Sequence, residues 1–85
     1  MKVEKVKGAV IISEGIDKEN DLAGYLIQNS TDPKKRKTTK LKLAFDNAKE
    51  VIIYKKGIPE KVALIGGKLT LKLPCADGVY IIPVK

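Results

Sequence analysis

Six cations fall within nine residues, Lys34, Lys35, Arg36, Lys37, Lys40 and Lys42, and they form the densest cluster of chemically active side chains in the sequence. The run Pro33-Lys34-Lys35-Arg36-Lys37 has the composition of a basic localisation string and of a grip on phosphates. Lys40 and Lys42 are two residues apart, so on a strand they project from one face. Loop and strand together would offer a surface that tracks nucleic acid or another polyanion. The plainer alternative is a solvated loop that runs into the outer face of a strand. Proteins that hold single-stranded nucleic acid usually add aromatic side chains on which bases stack. The aromatics here are Tyr25, Phe45, Tyr54 and Tyr80, and Phe45 shares the apolar face opposite the two lysines. The basic surface therefore lacks a stacking platform.

The remaining motifs are weaker. Asp17, Glu19 and Asp21 alternate as the first oxygen ligands of a calcium loop do, but such a loop next requires glycine at 22 and glutamate at 28, where the chain has Leu22 and Gln28. A solvated acidic turn, or a partner for the basic stripe, fits these acids better. Gly66-Gly67-Lys68 has the look of the end of a phosphate-binding loop, yet Val62 and Leu69 stand where that motif needs glycine and a hydroxyl, and no helix follows. Asn29-Ser30-Thr31 matches an N-glycosylation acceptor, which matters only in a secretory setting. Cys75 is the single cysteine, with no base beside it, so it reads as an inert thiol that forms neither an internal disulfide nor a cysteine-only zinc site. The absence of histidine excludes nucleophile–histidine systems, imidazole metal sites and an ordinary proton shuttle near neutral pH. No pair among the ten Asp and Glu residues is identifiable as a catalytic couple. We expect no catalytic residue, no cofactor and no metal, and the chain by itself not to be an enzyme.

The elements that must position these residues are strands. In Thr38–Phe45, Leu41, Leu43 and Phe45 alternate with Lys40, Lys42 and Ala44, and Leu69, Leu71 and Leu73 alternate with Lys68, Thr70 and Lys72. Such a period of two marks strands with one buried face. Apolar runs rich in β-branched residues lie at Ala9–Ser13, Tyr25–Gln28, Val51–Tyr54, Val62–Ile65 and Val79–Val84, separated by turn chemistry at Asp46-Asn47, Lys56-Gly57, Gly66-Gly67 and Ala76-Asp77-Gly78. Gly66-Gly67 is the strongest hairpin signal and Asp77-Gly78 nearly as good, because glycine accepts the positive φ of a primed turn. Ile16–Ile27 has room for about one helical turn, with poor capping and Gly24 inside it. Asn29–Lys37 reads as the most flexible stretch. About seven strands at this spacing predict an all-β fold, a small antiparallel β-sandwich, with a small barrel as the alternative.

The wider bounds agree. The 85 residues allow one small domain, 1–85, and 44% hydrophobic residues suffice for a compact core. Residues 1–33 carry four Lys against six Asp and Glu, a net of −2, whereas residues 34–85 carry 13 Lys and Arg against four acids, a net of +9. The longest uncharged stretch near the N-terminus, Gly8–Ser13, is too short for a signal-peptide core, and nothing approaches a membrane span. We expect a soluble chain with no signal peptide.

From Gly24 to Lys85 the chain resembles the small C-terminal, immunoglobulin-like β-sandwich domains that follow the catalytic barrel of many bacterial glycoside hydrolases. The residues that carry the likeness are Tyr25–Asn29 opening toward Asp32-Pro33, the alternating Leu41-Leu43-Phe45 strand and Val51–Gly57. They continue in Gly67-Lys68-Leu69-Thr70-Leu71 and in Asp77-Gly78-Val79-Tyr80. Ala76 stands where the last hairpin of such domains often has glycine, and Cys75 is unusual there. The resemblance implies a non-catalytic accessory domain, the C-terminal fragment of a larger protein, that packs through one sheet against the catalytic domain of the same polypeptide and stabilises it. It also implies an apolar patch on one sheet face and weak self-association of the isolated domain. Accessory domains that bind polysaccharide usually stack sugar rings on exposed Trp or Tyr, and with no Trp and three Tyr this chain is poorly equipped for that. The competing expectation is a small basic β-barrel binding nucleic acid or another polyanion through Lys34, Lys35, Arg36, Lys37, Lys40 and Lys42.

Overall fold

A computed structural model describes residues 1–17 and 22–84. Eight strands follow one another along the chain: β1 (Lys2–Lys7), β2 (Val10–Asp17), β3 (Leu22–Asn29), β4 (Thr39–Ala44), β5 (Glu50–Lys55), β6 (Ile58–Ala63), β7 (Lys68–Leu73) and β8 (Gly78–Val84). They form two antiparallel sheets, a small one in the order β1-β4-β7 and a large one in the order β2-β3-β8-β5-β6. The only helical element among the described residues is a single 3₁₀ turn, Pro33–Lys35. No helix is long and apolar enough to cross a membrane.

The sheets close over one apolar core, as a two-layer all-β architecture requires. The small sheet supplies Leu41 and Leu43 from β4 and Leu69, Leu71 and Leu73 from β7. The large sheet supplies Ile27, Val51, Ile53, Val79 and Ile81, and Phe45 seals one end beside the tilted ring of Tyr25. The alternation read from sequence thus marks the inner face of both strands. Leu41 pairs with Leu71 and Leu43 with Leu69, so apolar partners meet directly across the ladder. Each such leucine contributes about 1.5–3 kcal/mol by leaving water.

Five of the seven connections pass from one sheet to the other; only β2–β3 and β5–β6 join neighbours within a sheet. This corrects the reading of two turns. Gly66 and Gly67 do form a two-residue primed turn, at φ 61° and 73°, closed by Lys68 N donating to Ile65 O at 3.1 Å. That turn nevertheless carries β6 of the large sheet into β7 of the small one. The turn at Pro74–Asp77, with Ala76 at φ 65° and Asp77 N donating to Pro74 O, likewise carries β7 across to β8. Glycine and turn chemistry fix a local reversal, whereas pairing follows the leucine faces, and those match β7 to β4. The true tight hairpin uses Lys56-Gly57, both at positive φ, between paired Lys55 and Ile58.

Three further expectations are revised. β6 begins at Ile58 and includes Pro59, which an edge strand tolerates, while Ile65 lies outside it and is exposed. The helical turn considered for Ile16–Ile27 is absent among the described residues, where β2 pairs with β3 from Val10↔Asn29 to Asp17↔Leu22. The eighth strand is β1, paired with β4 through a register shift between Val3 and Lys5. Gly8 bends the chain out of β1 at φ 118°, and a Cβ there would stand 2.5 Å from Thr39 Oγ1. The fully buried Thr39 hydroxyl in turn donates to Ala9 O at 3.1 Å and accepts from Ala9 N at 3.3 Å, holding the start of β2 against β4.

Candidate functional site

Residues directly opposite one another in an antiparallel pair project to the same face, so the register of the small sheet fixes what its outer surface carries. Lys7 pairs with Lys40 and Lys40 with Lys72, which places three lysines in one row across all three strands. The next row is Lys5, Lys42 and Thr70, and the third is Lys2, Ala44 and Lys68. Their neighbours Leu41, Leu43, Leu69, Leu71 and Leu73 are buried, so the lysines all stand on the solvent side. The three strands hold seven lysines and one glutamate, a net of +6, whereas the five strands of the large sheet hold two lysines against four acids, a net of −2.

One ion pair relieves this plate among the described residues. Glu4, at the irregularity in β1, reaches Lys68, with Oε1 3.3 Å from Nζ. Lys5, Lys7, Lys40, Lys42 and Lys72 have no acidic partner among the described residues. Like charges placed directly opposite cost about 0.2–1 kcal/mol per pair, and the plate contains three such pairs, Lys7–Lys40, Lys40–Lys72 and Lys5–Lys42.

Of the cations singled out in the sequence, Lys40 and Lys42 lie on this plate, whereas Lys34, Lys35, Arg36 and Lys37 lie in the loop that leads into β4, at the end of the sheet where the Lys7–Lys40–Lys72 row stands. That loop is tied down by Asn29. Its Nδ2 donates to Leu73 O at 2.8 Å, to Lys37 O at 3.0 Å and to Pro74 O at 3.2 Å, and its Oδ1 accepts from Thr31 N and Thr31 Oγ1. Asp32 caps the 3₁₀ turn by accepting from Lys34 N, and Arg36 ends it in the left-handed region at φ 47°. The stretch read as flexible is therefore a hydrogen-bonded loop with its cations turned to solvent. The asparagine of the apparent glycosylation acceptor is 8% exposed, with both ends of its amide engaged. Cys75 Sγ is half-buried, 4.0 Å from Pro33 O.

The outer face of the large sheet has the opposite character. By the same register it presents Ile11 and Ser13 from β2, Gly24, Leu26 and Gln28 from β3, Tyr80 and Ile82 from β8, and Ile52 and Tyr54 from β5. Leu26 is 40% and Ile11 57% exposed. The rings of Tyr54 and Tyr80 sit 6.4 Å apart and tilted, and the Tyr80 hydroxyl end lies across Gly24, where a Cβ would collide with it, and beside Gly15. Gly24 is thus required by a ring crossing it. Among the described side chains, Lys61 and Glu50 are the charged residues that this face adds, opposite Ile52 and Ala63.

Of the acids Asp17, Glu19 and Asp21, Glu19, Asp21 and the side chain of Asp17 lie outside the described residues. No cluster of three or more potential metal ligands occurs among the described residues. A depression of about 790 Å³, open to solvent, is lined in part by Glu60 and Asp77 together with Lys55, Lys56 and Lys72. Both acids there are exposed. The described residues therefore form an eight-stranded antiparallel β-sandwich with one lysine-rich and one mostly apolar outer face. Comparisons with protein-family models, with curated proteins and with solved structures give no match to this chain.

Proposed function

We propose that this chain is a non-catalytic accessory β-sandwich domain of a glycoside hydrolase, which packs against the catalytic domain of the same polypeptide and stabilises it. The observation that carries the reading is the apolar outer face of the large sheet, where Ile11, Leu26, Ile52, Tyr54, Tyr80 and Ile82 gather with little charge among them. Contiguous apolar surface of this kind marks a face that another protein surface covers. The resemblance of residues 24–85 to accessory sandwiches supplies the identity of that partner. An antibody against residues 1–85 tests the reading on the source organism: a band several times heavier than 9.3 kDa is expected. A band near 9.3 kDa overturns it.

The second reading, a basic module that binds a polyanion through the Lys34–Lys42 stripe, is favoured by the lysine plate on the other sheet. The two readings use opposite faces, so they do not compete for surface.

A further inference from the structure

We infer that the outer face of the small sheet is a binding strip for a linear acidic polysaccharide, a chain of sugars bearing carboxylate or sulfate groups. The choice of a polysaccharide rests on the accessory-domain reading; the strip itself rests on register alone.

Three observations lead to this ligand. First, the Lys7–Lys40–Lys72 row and the Lys5–Lys42 pair set like charges directly opposite without an acidic partner among the described residues. A local rule broken without structural gain is the signature of a surface shaped for a ligand, and the missing counter-charge is what an anionic ligand would bring.

Second, the face has no aromatic side chain: among its lysines stand Thr70, Ala44 and Glu4, the last paired with Lys68, while Tyr54 and Tyr80 lie on the opposite sheet. Bases of a single strand have nothing to stack on, and a neutral sugar chain has no ring platform. A ligand for this face must carry its own charge. Lysine ammonium groups act as mobile point charges with no fixed fork geometry, so they recognise charge along a chain rather than one shaped group.

Third, the shape is a narrow strip. Its three strands span about 10 Å at the usual strand spacing, and its three rows run about 13 Å along the strands. The exposed cations of the loop 34–37 extend it at the end nearest Lys40. A thin chain lying over β4 is flanked by the lysines of β1 and β7 on both sides. A nucleic-acid duplex, a cylinder wider than the strip, would meet the same flat face along a line and engage fewer of them. A lipid surface would meet the flat face squarely, but no large apolar side chain projects from the face to insert.

The test is affinity electrophoresis of the 85-residue chain at about 20 mM salt, where surface charge is weakly screened, in gels carrying polygalacturonate, a neutral glucan or no polymer. Retardation by polygalacturonate alone is expected, weakened at least tenfold in Lys40→Glu/Lys72→Glu and unchanged in Lys61→Glu, which alters the other face. Lys5→Gln/Lys7→Gln on the edge strand provides a second variant should the first fail to fold, with several-fold weakening expected. No retardation overturns the proposal, as does retardation that both plate variants retain. Tighter binding to a 20-base-pair duplex or to vesicles with phosphatidylserine, measured at the same salt, overturns it in favour of those ligands. The immunoblot bears on the accessory reading alone, so the two failures are distinguishable.

Discussion

The two outer faces of this sandwich are made by the same rule and reach opposite results. In strands β4, β5, β7 and β8, alternate residues enter the core and the residues between are free to vary. In the small sheet those outward positions are mostly lysines, on all three strands, and in the large sheet isoleucine, leucine, tyrosine and glycine outnumber the polar residues Ser13, Gln28, Glu50 and Lys61. A core of alternating residues therefore fixes a fold without fixing what its surfaces do. Function is argued from the positions the fold leaves free, not from the fold itself.

The widest test of this comparison removes what the faces share. Leu43 is fully buried and pairs with Val3 and Leu69. Leu43→Ala should destabilise the domain by about 2–5 kcal/mol, read as a shift in the urea midpoint. Both faces should be lost in one transition, since they are two sides of one core. Two separated transitions would mean that the sheets fold independently and that the comparison joins two unrelated units.

The next effect is at Asn29, where the large sheet grips the end of β7 and the basic loop. Asn29→Ala leaves the carbonyls of Leu73 and Lys37 without this donor, and a buried group left unsatisfied costs about 1–3 kcal/mol. Hydrogen exchange should show residues 30–38 losing protection before either sheet does. An unchanged urea midpoint would show that the loop stands without this anchor.

What sequence alone revealed follows the same division. Strands β4 and β7 are legible because Leu41-Leu43 and Leu69-Leu71-Leu73 keep a strict period of two. β1 is not, because Val3 and Val6, which pair with Leu43 and Leu41 yet stay exposed, are three apart: the extra residue at the irregularity near Glu4 breaks the alternation and the register restores it. Lys5 and Lys7 are hidden with it, so the basic surface reads as the linear stripe 34–42 when it is a plate assembled from three strands distant in sequence. Gly24 reads only as a glycine that weakens a helical turn in Ile16–Ile27, and the ring of Tyr80 lying across it explains it. The crossing turns are illegible for a related reason: Gly66-Gly67 specifies a reversal, and the destination of β7 depends on leucines 26 and 30 residues from their partners, Leu43 opposite Leu69 and Leu41 opposite Leu71.

On the apolar face, Leu26→Lys with Ile82→Lys should leave the fold within about 1 kcal/mol of its original stability, since both side chains remain partly in water. The same pair should abolish the concentration-dependent self-association expected of the isolated domain in sedimentation. If the parent domain stays monomeric at millimolar concentration, the apolar face is not adhesive by itself, and docking would have to draw on contacts specific to the catalytic domain.

The smallest expected effect separates the faces most sharply, because its sign is unusual. Lys40 faces like charges on both sides, Lys7 and Lys72. Lys40→Thr removes two repulsive pairs and places a β-branched residue in the central strand, so it should stabilise the domain by about 0.5 kcal/mol at low salt. Raising the ionic strength to about 1 M shortens the screening length to about 3 Å and should shrink that gain toward what strand propensity alone gives. Lys61→Thr on the other sheet, opposite Ile52 rather than a cation, should show no such salt dependence. A Lys40 variant that is less stable at low salt than the parent would mean that the plate is already neutralised within the folded chain. The lysine rows would then be ordinary solvated surface, with no missing counter-charge for a ligand to supply.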